Sequence, residues 1–155
     1  TASDKIVLKA CVSGETMPVE ALGDGVFSEK MMGEGIAIKP TGDTVVAPAD
    51  GKISVVMEDT GHAVGLELSN GTQLLIHVGL DTVNMQGDGF KVYTVPGREV
   101  KCGDKLICFD SEKIKAAGYV DTVVFVVAEP GPITQYDFAD TVTVVAGESV
   151  VGEIC

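Results

Sequence analysis

The chain lacks a basic footprint: 11 Lys plus Arg stand against 23 Asp plus Glu, a formal net charge of −12. That balance argues against nucleic acid and against an anionic membrane surface, and would steer a basic protein partner toward the chain. No apolar run is long enough to span a bilayer. The opening Thr1-Ala2-Ser3-Asp4-Lys5 lacks the basic-then-apolar layout of a signal peptide, and a start on Thr points to processing, trimming or excision from a longer polypeptide. Cysteines are few and scattered. Cys11, Cys102, Cys108 and Cys155 form no C-x-x-C pair, so neither a zinc site nor a disulfide framework is indicated, and free thiols in a reducing cytoplasm are expected. Linkers and low-complexity segments are missing too, so one domain spanning residues 1–155 is expected.

Helical periodicity is equally scarce. Short turns are expected at residues 27–32 and at Ser111 to Gly118, the second capped by its serine and closed by its glycine. What the chain has is 19 glycines and many brief Val/Ile runs, the pattern of short strands joined by tight turns. Two weak internal repeats accompany them. The segment from Ala10 to Val19 aligns with Ala47 to Val56, and Val100 to Leu106 with Val144 to Val150. The expected fold is therefore all-β: an antiparallel sandwich or partly closed barrel with pseudo-duplicated strand motifs. G-E-G-I-A-I-K-P (33–40) lacks the Lys-Ser/Thr of a phosphate loop. Its glycines are expected to let two backbones approach closely.

The stretch from Thr60 to Val83 concentrates the chemistry, because it holds both histidines of the chain, His62 and His77. Asn70-Gly71 between them is a strong signal for a two-residue hairpin turn. Such a turn sets Ser69 opposite Thr72 and Val64 opposite His77. The two imidazoles then share a face as diagonal neighbours, with β-carbons about 7–8 Å apart. A slip of one residue would separate them to opposite faces.

Several motifs then converge. G-E-G-I-A-I-K-P (33–40), A-P-A-D-G-K-I (47–53), T-G-H-A (60–63), L-I-H-V-G-L-D-T-V (75–83) and G-D-G-F (87–90) resemble, in order and spacing, the glucose-family enzyme IIA of the bacterial phosphoenolpyruvate-dependent sugar phosphotransferase system. The resemblance covers nearly the whole chain and implies a β-sandwich phosphoryl carrier without a cofactor. It further implies that His77 takes phosphate from the phosphocarrier HPr and passes it to a cysteine of a IIB domain. A cytoplasmic location follows, either as a free protein or as a soluble domain of a membrane permease, with no membrane insertion of its own.

The residues support that chemistry. A neutral imidazole is a competent nucleophile near neutral pH. His62 is placed to donate a hydrogen bond as charge develops on the phosphoryl oxygens. Thr60 is expected to fix the tautomer of His62, and the Gly79 carbonyl to accept from Nδ1 of His77, leaving Nε2 to attack. By resemblance Asp81 and Asp24 face an arginine of the donor, although Asp81 also reads as the start of a turn. Phe27, Met31, Met32, Leu75 and Val83 match an apolar collar around the histidine, and each taken singly also reads as core. Between Gly51 and His62 the chain is one residue longer than the family pattern, through Val55 to Asp59, so a bulge is expected there and no collar residue is assigned. Two other readings compete: a zinc hydrolase built on His62, His77 and Asp81, and a regulatory module reporting phosphorylation state. The first lacks a firm third ligand, although the two histidines could bind zinc adventitiously.

Overall fold

Val, Ile and Thr fill the short runs of this chain, and β-branched residues pack well on a pleated surface. The computed structural model describes residues 5–22 and 33–155. The first strands are β1 (Ile6–Lys9), β2 (Gly14–Pro18), β3 (Glu34–Pro40), β4 (Thr44–Val46), β5 (Gly51–Val56), β6 (Ala63–Glu67) and β7 (Gln73–Leu80). There follow β8 (Phe90–Val92), β9 (Glu99–Val100), β10 (Lys105–Phe109), the helix α1 (Ser111–Ala116) and β11 (Val120–Glu129). The chain closes with β12 (Tyr136–Phe138), β13 (Thr143–Val144) and β14 (Val150–Ile154).

These strands make one eight-stranded sheet, ordered β13-β2-β3-β11-β7-β6-β5-β9, and two three-stranded sheets, β1-β14-β12 and β4-β10-β8. Their pairings are antiparallel. Leu8, Ile107 and Ile154 of the small sheets share one buried core with Ile38, Ile76 and Phe125 of the large one. The architecture is an antiparallel β-sandwich. Among the described residues no helix is long and apolar enough to cross a membrane.

The internal repeats become paired strands at opposite edges of the large sheet. Gly14 pairs with Val144 at one edge, and Gly51 pairs with Val100 at the other. Likewise the N–H of Gly147 donates to the Ala10 carbonyl, and that of Gly103 to the Ala47 carbonyl. The strand order is thus symmetric about the β11–β7 seam. At Gly35 the expected close approach is present, since a β-carbon there would stand 2.1 Å from the Phe125 carbonyl oxygen.

Two local expectations are corrected. The cap of α1 is Asp110, whose carboxylate accepts from the Lys113 N–H, and Ser111 is the first helical residue. The β5–β6 register shifts between Ile53 and Val55, just ahead of the span from Val55 to Asp59 where the bulge is expected.

Candidate functional site: two imidazoles on the outer face of the central sheet

The β6–β7 hairpin closes one residue wider than the Asn-Gly signal predicts. The Leu68 N–H donates to Thr72 and the Gly71 N–H to Leu68, so Ser69, Asn70 and Gly71 form a three-residue loop. Gly71 is left-handed at φ 93°, and the Asn70 side chain takes the Thr72 N–H at 3.0 Å. Such loops compete closely with two-residue turns at the same residue types. Consequently His77 pairs with Ala63, and Val64 with Ile76. Simple alternation would then send His62 to the other face. It does not, because His62 precedes β6 and follows Gly61, which is left-handed at φ 66°. The two rings meet edge to face, with centroids 4.7 Å apart and planes at 82°.

β7 presents two faces. Leu74, Ile76 and Val78 point into the main core, each at most 1% exposed. Leu75 and His77 are half-buried on the other side. There His77 sits between Ala63 of β6 and Val124 of β11. Leu75 joins a second apolar cluster of Val19, Val124 and Val126, with Leu22 and Leu80 packed against it. Reading the sequence did not single out Leu22, Leu80 or these valines. The run V-V-F-V-V in β11 is apolar on both faces, so alternation gave no signal, although a strand buried on both sides reads in just this way.

The ring nitrogens have distinct partners. Nδ1 of His77 is 2.8 Å from the Gly79 carbonyl oxygen. A carbonyl only accepts, so this nitrogen carries the proton and Nε2 keeps its lone pair. His62 is buried, at 4% exposure, with Nδ1 2.6 Å from the Thr60 hydroxyl. Its backbone carbonyl accepts from the Val78 N–H at 2.6 Å. Burial first, and the neighbouring His77 second, push the His62 pKa down to about 4. The imidazole of His62 is therefore neutral at neutral pH.

Asp81 occupies the left-handed region at φ 62° and opens the 3-10 turn Thr82–Met85. Its carboxylate makes no capping bond and is exposed. Val83, in the same turn, is 45% exposed. Asp24, Phe27, Met31 and Met32, together with the helical turn expected at residues 27–32, lie outside the described residues. Among the described residues no group of three or more His, Cys, Asp or Glu side chains is placed to hold a metal ion. Two imidazoles alone fall short of the three or four protein ligands a zinc site uses. A cleft of about 620 Å³ lies at the other end of the hairpin, beside Lys52, Glu67 and Ser69, away from both histidines. The pair sits instead on the outer face of the large sheet beside the apolar cluster of Val19, Val124 and Val126, with His77 half-buried.

Comparison with known proteins agrees. The family model of the phosphoenolpyruvate-dependent sugar phosphotransferase system, EIIA 1, matches residues 6–131. A glucose-specific EIIA component from Oceanobacillus iheyensis is 36% identical over 150 residues, covering 97% of this chain and 90% of the relative. The solved structure of the glucose permease IIA from Mycoplasma capricolum superposes with a TM-score of 0.87 at 28% identity, covering 99% of this chain and 97% of that one. The chain belongs to the EIIA type 1 family of the phosphoenolpyruvate-dependent sugar phosphotransferase system and is a phosphotransferase component of sugar transport.

Proposed function

We propose that the protein carries a phosphoryl group on Nε2 of His77, taking it from phospho-HPr and giving it to a cysteine of a IIB domain. The observation that carries this reading is the bond from His77 Nδ1 to the Gly79 carbonyl, which leaves the Nε2 lone pair as the ring's nucleophile. As the Nε2–P bond forms, the bond from phosphorus to the donor breaks, and its electron pair returns to the donor. In the second step the cysteine thiolate attacks phosphorus, and the Nε2–P pair returns to the His77 ring.

Phosphoryl transfer passes through a loose transition state, so the site has to position the group and stabilise charge more than it has to form new bonds elsewhere. His62 suits the second task. In the tautomer where the Thr60 hydroxyl donates to its Nδ1, its single proton is on Nε2, placed to bond a phosphoryl oxygen as charge builds. A neutral donor costs less to bury than an imidazolium. Asp81, exposed just past the end of β7, would meet an arginine of the donor, and Asp24 would do the same. Leu75 and Val83, with Phe27, Met31 and Met32, would form the apolar rim that seats each partner. The net charge of −12 favours basic partners over nucleic acid. The transfer would take place in the cytoplasm. Glucose is the first sugar to test, because both relatives named above are glucose components.

Incubation with phosphoenolpyruvate, enzyme I and HPr tests the reading. Acid-labile phosphate should appear on the chain, vanish in His77→Ala and persist in His62→Gln. Phosphate that persists in His77→Ala would contradict it.

A further inference from the structure

Between the two histidines and the exposed turn that follows them lies a residue the phosphoryl chemistry above does not use. Thr82 is fully buried, yet its neighbours Asp81 and Val83 are exposed. Its hydroxyl donates to the Val78 carbonyl at 2.5 Å. β6 begins only at Ala63, one residue short of the position opposite Val78, so the threonine bonds a carbonyl at the end of the ladder. The other side of Val78 matters as well, because its N–H holds the His62 carbonyl. One residue thus ties the backbone of His62 to the turn carrying Thr82.

Anchored by that bond, Thr82 lies directly against Gly79. Gly79 is left-handed at φ 78°, and a β-carbon built on it would lie 2.3 Å from the Thr82 methyl and 2.8 Å from the Val120 carbonyl oxygen. Thr82 therefore fills the space behind Gly79, whose carbonyl oxygen faces His77 Nδ1. Rotation of the Gly79 peptide would remove that acceptor, and the His77 proton would then be free to move to Nε2.

We infer that Thr82 is a positioning residue for phosphoryl transfer: its hydroxyl bond to Val78 anchors the turn behind Gly79 and so holds the Gly79 carbonyl where it keeps the His77 proton on Nδ1. The consequence for transfer rests on the carrier reading above; the consequence for the tautomer does not. Thr82 touches neither phosphate nor partner, and it acts through the ring it orients.

The experiment uses the full 155-residue chain, labelled with ¹⁵N, as wild type, Thr82→Val and Thr82→Ser. Long-range proton–nitrogen spectra should show a single His77 tautomer, protonated at Nδ1, in the wild type and in Thr82→Ser. In Thr82→Val the two ring nitrogens should show averaged shifts from a mixture of tautomers. Transfer from phospho-HPr should slow by about tenfold to a hundredfold in Thr82→Val, the scale expected when a reacting group is misplaced, and recover in Thr82→Ser. If valine prevents folding, Thr82→Ala removes the hydroxyl without adding bulk and should show the same mixture. A wild-type tautomer in the folded Val or Ala variant overturns the inference, whatever the transfer rate. So does a mixture of tautomers in Thr82→Ser. Failure of the wild type to accept phosphate at all would defeat the carrier reading instead, leaving the spectra to judge Thr82.

Discussion

The two faces of β7 are made by one backbone and do opposite things. Ile76, between Val64 and Phe125, is 1% exposed in the main core. His77, one residue on, is half-buried between Ala63 and Val124. Apolar burial on the inner face supplies stability at roughly 25 cal/mol per Å². The outer face inherits the stiffness of that packing and adds to it only the smaller cluster around Val124. On the proposed function, a nucleophile meeting two partners in one geometry is better held on a strand clamped from behind than on a loop.

Substitutions can break that comparison. The largest effect is expected from His77→Ala, which should abolish phosphorylation while costing only about 1 kcal/mol of unfolding free energy, the usual size for a point substitution. His62→Gln should still accept phosphate but pass it to IIB about 10²- to 10³-fold more slowly, the usual cost of losing one transition-state donor. Single-turnover assays with purified IIB would measure this. Ile76→Ala, on the inner face, should cost about 2–5 kcal/mol in denaturant unfolding while leaving transfer per folded molecule unchanged. Val83→Asp should slow transfer from HPr by roughly tenfold, about 1.4 kcal/mol, with an unchanged melting temperature.

The smallest effect sharpens the comparison through pH. The His62 pKa is about 4 in the folded chain against 6.5 for the ordinary side chain. Between those values the unfolded chain binds a proton that the folded chain refuses, so stability falls as pH drops through that window and is fully present above it. Denaturant titrations at several pH values should show this slope, reduced in His62→Gln.

The symmetric body was legible because Ala10, Gly14, Ala47 and Gly51 repeat around equivalent turns and bond equivalent partners. The hairpin was legible from Asn70-Gly71, but its register was not. Gly71 supplies a left-handed residue that serves a two- or a three-residue loop, and the Asn70 side-chain bond to Thr72 is invisible in residue types. The meeting of His62 with His77 was therefore expected for the wrong reason: alternation holds inside a strand, and His62 stands outside one. The N-cap was misplaced by one residue because Asp110 and Ser111 are both good caps. The second apolar cluster joins Val19 to Val124 and Val126 across more than a hundred residues, a contact that no local pattern encodes.

The central claim is that the phosphoryl group resides on Nε2 of His77. It is tested most directly by nitrogen–phosphorus coupling in the ¹⁵N-labelled, phosphorylated chain. Coupling to Nε2 of His77, with Nδ1 still protonated, is the predicted result. Coupling to Nδ1 of His77, or to either nitrogen of His62, would contradict it.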